Sequence, residues 1–390
     1  MILQEAADDC RIKWSRIRQA MERNNADACL LSTSVNLYYM TGRMYNGWLY
    51  LPVNADPVFF VRRPIGIEGN RVRYVRKPEQ IVDHLASFGL RRPDKLLLEA
   101  DEISYSDFLR LSEAIAPAST GNASAVVRAS RTIKTPWEIE QFRISAARHA
   151  RTYASIPECF RPGMTDLELQ YEIELRMRRN GSLGIFRAFG DMDIFMGSIL
   201  AGDNAATPSP FDFALGGSGS SPSIPIGAGG VRLDEGISIM IDMAGNYTAY
   251  MTDMTRTFAV GKLQPKAVAM HQTSLDIMHE IELVLKPGTA CADLYRIAAE
   301  IAGKAGFADY FMGTSQQAAF IGHGIGLHIN ELPVISPRSK EELRPGCVIA
   351  LEPKFVLPGT GALGIEDSYL ITESGAEKLT VCEPGLVELK

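Results

Sequence analysis

Two aspartates eleven residues apart, Asp242 and Asp253, constrain this chain more than any other feature. They lie in Asp242-Met-Ala-Gly-Asn-Tyr-Thr-Ala-Tyr-Met-Thr-Asp253-Met-Thr-Arg-Thr-Phe258. Asp242 ends the apolar run Ile237-Ser-Ile-Met-Ile, which reads as a buried strand. Gly245-Asn246 is a turn signal, and Tyr247 to Tyr250 alternate back toward Asp253. The two carboxylates are therefore expected on the paired arms of a hairpin. Acids at the ends of apolar strands are costly to bury unless a cation or a proton neutralises them.

The C-terminal part supplies three more polar groups in apolar settings. Phe320-Ile-Gly-His323-Gly-Ile-Gly places a histidine between glycines, where bare backbone lets another group come close. Cys347-Val-Ile-Ala-Leu-Glu352-Pro ends an apolar strand in an acid, and Gly364-Ile-Glu366-Asp-Ser-Tyr-Leu-Ile-Thr372 begins one with an acid. Pro358-Gly-Thr-Gly361 is a turn between them, and Glu352 and Glu366 are symmetric about residue 359, so a hairpin sets them side by side. Four carboxylates and one imidazole form an oxygen-rich set that suits Mn²⁺, Co²⁺, Fe²⁺ or Zn²⁺ better than a structural zinc. Four acids exceed the charge of one divalent ion, which favours two metal ions bridged by carboxylates. For any one acid, a capped turn or a surface strand end is a sufficient explanation; for all five residues together it is a weak one.

Composition narrows the remaining choices. The chain has 390 residues, enough for two domains, with 46% hydrophobic and 22% charged residues, ordinary for a globular protein. A net charge of −6 argues against nucleic acid or an anionic membrane as partner. No apolar run is long enough to span a bilayer, and the acidic start Met1-Ile-Leu-Gln-Glu-Ala-Ala-Asp-Asp-Cys10 lacks the basic and apolar parts of a signal peptide. A cytoplasmic location is expected. The six cysteines are scattered, as free thiols would be, and offer no thiolate zinc site.

In chain order, Ile12, Trp14, Ile17 and Met21 mark an opening helix. Strand-like pieces follow at 28–32, 48–53, 57–61 and 95–98, with helical stretches such as 104–115 between them, an α/β pattern with no cluster of catalytic groups. A boundary near residue 130 divides a domain at 1–130 from one at 131–390. Thr135-Pro136-Trp-Glu138 starts a long helix expected over 137–160, and Thr165-Asp-Leu-Glu168 is a capping box that opens another, ending near Asn180-Gly181. The glycine- and serine-rich text of Ser209–Gly230 lacks both phosphate-loop fingerprints and reads equally well as a substrate-facing lid or a plain connection. Helices at 265–285 and 292–305 carry His271 and His279, which, like His149, read as packing or surface residues rather than ligands.

These residues resemble the pita-bread metallopeptidase superfamily of methionine aminopeptidase, aminopeptidase P, prolidase and creatinase. The resemblance spans nearly the whole chain: Ser34-Val-Asn-Leu-Tyr-Tyr-Met-Thr-Gly42 looks like the creatinase-type N-terminal domain, and Arg131-Thr-Ile-Lys through Gly364-Ile-Glu-Asp like the catalytic domain. It implies an α/β (α+β) protein, with a creatinase-type α/β domain followed by a pita-bread catalytic domain, and a homodimer. It also implies roles: Asp242 chelates one metal, Asp253 and Glu366 bridge, and His323 and Glu352 complete the second site, with Glu352 also accepting a proton.

The departures are specific. Histidines usual in such peptidases are absent from the stretch Asn204-Ala-Ala-Thr-Pro208, from Ala319 and from Asn330, and a usual arginine is Gly364. Asn330 can donate a hydrogen bond but cannot carry a proton at neutral pH. His328, two residues away, is the candidate substitute if the segment is extended, because both side chains would then share a face. A histidine that supports a neighbouring ligand from behind, or one exposed to solvent, is the plainer alternative. The expected function is hydrolysis of small peptides by a dinuclear metal site, of the Xaa-Pro dipeptidase or aminopeptidase P type, through a hydroxide bridging the metals. The alternatives are a creatinase-like C–N hydrolase of small molecules and a metal-dependent lyase like that of dimethylsulfoniopropionate. A binding protein without turnover is disfavoured by the intact ligand set.

Overall fold

A computed structural model describes residues 6–188 and 196–390. The first five residues of the acidic N-terminus, and residues 189–195, lie outside them. The chain divides into two compact units, one of residues 1–131 with 135–137, the other of 132–134 with 138–390.

The first unit contains α1 (Ala7–Arg23), β1 (Ala28–Leu31), α2 (Ser34–Thr41), β2 (Asn46–Pro52), β3 (Val58–Arg63), β4 (Val72–Tyr74), α3 (Gln80–Leu85), β5 (Lys95–Leu98), α4 (Tyr105–Ile115), β6 (Ser119–Asn122) and α5 (Ser124–Thr132). Its sheet has the order β4-β3-β2-β1-β5-β6. Leu30, Trp48, Tyr50, Phe60, Leu96 and Leu98 bury one face of that sheet against Ile81, Leu111 and Ile115 of α3 and α4. The helix α2 falls in a stretch with no helical periodicity, because most of its side chains are buried. Gly42 ends it in the left-handed region at φ +68°, a conformation glycine adopts without strain.

The second unit contains α6 (Pro136–Ala154), α7 (Asp166–Arg179), β7 (Gly197–Ala201), β8 (Ser238–Gly245), β9 (Thr252–Val260), α8 (Pro265–Glu282), α9 (Cys291–Lys304), β10 (Gly322–Gly324), β11 (Glu331–Val334), β12 (Val348–Leu351), β13 (Lys354–Leu357), β14 (Gly361–Gly364), β15 (Asp367–Ile371), β16 (Ala376–Lys378) and β17 (Val387–Leu389). The helix expected over 137–160 stops at Ala154, and a short 3₁₀ turn, Ile156–Cys159, carries Pro157, which cannot continue an α-helix. The capping box at Thr165 forms: Thr165 N donates to Glu168 Oε2 at 2.7 Å, and Glu168 N donates to Thr165 Oγ1 at 3.3 Å.

The strands form sheets ordered β17-β9-β8-β7 and β11-β10-β12-β15-β16, with β13 and β14 as a separate pair. Ile199, Ile239, Ile241 and Met254 pack on Leu169, Ile173 and Met177 of α7; Ile349, Leu351, Phe355 and Leu363 pack on Met270, Ile277, Leu294 and Ala298 of α8 and α9. The sheets meet where Thr255 and Glu366 exchange backbone hydrogen bonds of 3.1 and 3.3 Å. Five neighbouring segments therefore run side by side: β8, β9, the start of β15, the end of β12, and β10.

Candidate metal centre

Each of those five segments delivers one of the five residues that the sequence pointed to. Asp242 lies in β8 opposite Thr255, and Thr255 is bridged to Glu366. Asp253 is opposite Ala244, so the two aspartates sit diagonally across the hairpin rather than side by side. Between them the chain does not alternate as a strand: residues 247–250 are bends. Tyr247 and Thr152 share a hydroxyl hydrogen bond of 2.5 Å, which holds this turn to α6. Glu352 follows β12 and donates its backbone N–H to Ile321 at 2.9 Å, next to His323 on β10. The pairings Val348↔Leu370 and Lys354↔Gly364 both centre on residue 359, so Glu352 and Glu366 fall at matched positions between the two ladders.

The ligand atoms form two adjoining trios, Asp253–His323–Glu366 and Asp242–Glu352–Glu366, in each of which one atom per residue lies within 4.8 Å of the others. His323 Nδ1 lies 3.1 Å from the Gly324 carbonyl, which can only accept, so Nδ1 carries the proton. The lone pair of Nε2 then faces Asp253 Oδ2 at 3.9 Å and Glu352 Oε1 at 3.5 Å. Burial holds the imidazole below its usual range, in the neutral form a ligand needs. Burial pushes the Asp253 carboxyl well up, and the charges of Glu366, Asp242 and Glu352 push it the same way. Glu366 is raised to about 8, by burial first and then by Glu352. Crowded buried acids in this state favour any cation that enters.

The first trio fits a divalent cation. Two carboxylate oxygens and an imidazole nitrogen are a donor set for such ions, and Glu366 Oε1 is buried without a hydrogen-bond partner among the described residues. The second trio is different, because Lys354 reaches into it. Its Nζ lies 2.9 Å from Asp242 Oδ2, 2.6 Å from Glu352 Oε2 and 3.0 Å from Glu366 Oε2, and the side chain is fully buried. Burial alone would lower this amine; the three carboxylates reverse that and hold it well above its usual range. With the ammonium in place, the second trio does not fit a metal ion.

Lys354 was not among the residues the sequence pointed to. A signal existed: it stands two positions beyond Glu352 in extended chain, so the two tend to face the same way. Two further residues hold the site in place. Thr255 Oγ1 donates to Glu366 Oε2 at 2.8 Å. Arg256 is buried beneath it and donates to the Glu366 carbonyl at 2.9 Å and to Asp367 Oδ1 at 2.8 Å.

His328 and Asn330 lie in a run of bends over residues 326–330, not in an extended segment, so the argument that they share a face does not apply. His328 donates its backbone N–H to Glu331 Oε1 at 3.1 Å. His149 is buried against Thr252, at 3.0 Å, and His271 against the Pro384 carbonyl, also at 3.0 Å; both are packing residues. His279 is exposed. The 209–230 stretch is tied down at several points. Asn204 accepts from Ser218 N at 2.7 Å and donates to the Gly227 carbonyl at 2.9 Å, and Leu215 packs with Leu200, Met240 and Val356.

Residues 140–373 match the metallopeptidase family M24, and residues 13–133 the creatinase/prolidase N-terminal domain. The Xaa-Pro dipeptidase of Pyrococcus furiosus is 28% identical over 382 residues, covering 96% of this chain and 99% of that protein. A solved prolidase from Pyrococcus furiosus superposes with a TM-score of 0.76 at 26% identity, over 94% of this chain and 99% of that one. The fold is also that of the Xaa-Pro dipeptidase from Bacillus anthracis, with a TM-score of 0.80 at 24% identity over 97% and 100% of the two chains. These relatives favour peptide hydrolysis over the creatinase-like and lyase alternatives.

Proposed function

Because the chain belongs to metallopeptidase family M24, a family of metal-dependent peptide hydrolases, we propose that it is an Xaa-Pro dipeptidase that cleaves the bond before proline in short peptides. The convergence of Asp242, Asp253, His323, Glu352 and Glu366 from five separate segments carries this reading. A divalent ion held there, with Mn²⁺, Co²⁺, Fe²⁺ and Zn²⁺ as the candidates, supplies an activated water and polarises the scissile carbonyl. The protein's own groups do the rest. Asp253, Glu366 and the Nε2 of His323 hold the ion, and Asp242 and Glu352 border it. Glu352 Oε2 is engaged by Lys354, so Oε1, facing His323, is the atom that takes a proton from the attacking water and hands it to the leaving nitrogen.

His328 and Asn330, in the loop after the ligand histidine, are the proposed substrate-side groups: His328 as proton carrier, Asn330 as hydrogen-bond donor to the peptide. The protein acts as a cytoplasmic homodimer on small peptides, with neither nucleic acid nor membrane as partner. The net charge of −6 speaks against a nucleic-acid partner, and no helix among the described residues is long and apolar enough to cross a membrane. The test is a panel of Xaa-Pro dipeptides and longer Xaa-Pro peptides with Mn²⁺- or Co²⁺-loaded protein. Preference for dipeptides fits a dipeptidase; preference for longer peptides points to an aminopeptidase P-like enzyme. A His328→Ala protein with undiminished turnover removes that residue from the scheme.

A further inference from the structure

Lys354 raises a question of number. An ammonium has three N–H donors, and here each is matched to one carboxylate, those of Asp242, Glu352 and Glu366. No donor remains for a substrate, so the side chain is a fixed countercharge and neither an acid nor a base in turnover. The oxygens it holds belong to the same three residues that would surround an ion in the second trio.

We infer that the Lys354 ammonium stands permanently in place of one divalent ion, and that the chain binds a single metal ion, at Asp253, His323 and Glu366. The inference rests on reading the site as that of a metal-dependent peptidase.

The two oxygens of Glu366 are divided in the way this requires. Oε2 accepts from Lys354 at 3.0 Å and from Thr255 Oγ1 at 2.8 Å, while Oε1 is buried with no hydrogen-bond partner among the described residues. A buried carboxylate oxygen left without a donor is costly, and a cation beside it removes that cost. Glu352 is divided in the same sense, with Oε2 on Lys354 and Oε1 toward His323. Among the described residues, four carboxylates face one ammonium at this site. One divalent ion leaves a single negative charge over and a second leaves a single positive one, but the second would sit roughly 4 Å from the ammonium, close enough to weaken its binding by more than about 100-fold.

The backbone gives Lys354 little room to withdraw. It lies opposite Gly364 in the β13–β14 pair, and its carbonyl accepts from Met312 N at 2.8 Å. At Gly364, where φ is +139°, an added Cβ would lie 2.6 Å from the Pro353 carbonyl oxygen and 3.0 Å from Lys354 Cα. The two strands are pressed together at the point from which the lysine extends.

The test counts ions without measuring turnover. Metal-free protein is titrated calorimetrically with Mn²⁺, bound metal is quantified after gel filtration, and the electron paramagnetic resonance spectrum is recorded. The wild-type chain is expected to bind one Mn²⁺ with an isolated-ion spectrum. Lys354→Met, which keeps the length and removes the charge, should bind two, with the spectrum of a coupled pair. Asp253→Asn should lose the wild-type ion and Asp242→Asn should keep it. Two tightly bound ions in the wild type overturn the inference and leave the metallopeptidase reading intact. Loss of the ion in Asp242→Asn but not in Asp253→Asn overturns it too, as does a single ion in folded Lys354→Met. No ion in the wild type contradicts the metallopeptidase reading itself, and this inference with it. If Lys354→Met does not fold, the wild-type count and the two asparagine variants still decide.

Discussion

Arg256 is the residue whose removal should be felt furthest from its own position. All five of its N–H groups are used: Nε on the Glu383 carbonyl at 2.9 Å, Nη1 on the carbonyls of Thr255 and Glu366 at 2.8 and 2.9 Å, and Nη2 on Asp367 Oδ1 and the Cys382 carbonyl at 2.8 and 3.1 Å. Its side chain is 2% exposed and that of Asp367 is fully buried. Arg256→Met keeps most of the volume but takes the cation away from a buried acid and from four carbonyls. Removing one partner of a buried ion pair costs about 3–5 kcal/mol. The lower end applies here, because Asp367 retains Thr380 Oγ1 at 2.8 Å and has Lys378 Nζ 2.8 Å from Oδ2, although that ion pair lacks the alignment of a hydrogen bond. A loss of about 3 kcal/mol in a unit of this size lowers the melting temperature by roughly 6–12 °C. Circular dichroism melts of metal-free wild type and variant measure it, and Arg256→Lys should fall between them. Because Arg256 also fixes the Glu366 carbonyl, the variant should bind Mn²⁺ more weakly. A melting temperature within about 2 °C of wild type, with metal affinity unchanged, would refute the reasoning.

Two further outcomes follow from buried groups. His149 is neutral in the fold, held down to about 3 by burial and then by the charge of Arg256, against about 6.5 in an unfolded chain. Below about pH 6.5 the unfolded state takes up a proton the folded state refuses, so stability present at pH 7 is lost as pH falls toward the folded value. Between pH 7 and 5 the loss from this residue is about 2 kcal/mol, and urea unfolding of His149→Gln should show a pH dependence shallower by that amount; an unchanged slope contradicts the assignment. Gly364→Arg, which puts at this position the residue that the sequence resemblance led one to expect, should destabilise by at least ~2 kcal/mol, because its Cβ would strike the Pro353 carbonyl oxygen from a backbone at φ +139°. A stable Gly364→Arg protein with a lower KM for dipeptides would show that the strand pair can open.

Much of the catalytic half was legible because its signals are local. Apolar runs that end or begin in acids became β8, β12 and β15, and the turn around residue 359 set the register of both ladders that flank Glu352 and Glu366. Tertiary structure decided the rest. The tyrosines at 247 and 250 alternate like a strand, yet they are buried in a bend pinned to α6, where Thr152 and Ser145 bond to Tyr247. The helix α2 is buried nearly all round, so it has no apolar stripe to reveal it. Lys354 reads as an ordinary basic residue of a strand; only the fold shows that three acids surround it. Asn330 and His328 looked like partners because period two was assumed where the chain bends.

The proposed function has Asp253, His323 and Glu366 hold a metal that hydrolyses an Xaa-Pro bond, with Asp242 and Glu352 bordering it and Glu352 moving the proton. Its most direct test is the rate of proline release from one Xaa-Pro dipeptide by wild type and Glu352→Ala, each measured with saturating Mn²⁺ and after chelation. Turnover in metal-loaded wild type that disappears on chelation, and falls by about 100-fold or more in Glu352→Ala, is the predicted result. Turnover that survives chelation, or that persists in Glu352→Ala, would contradict it.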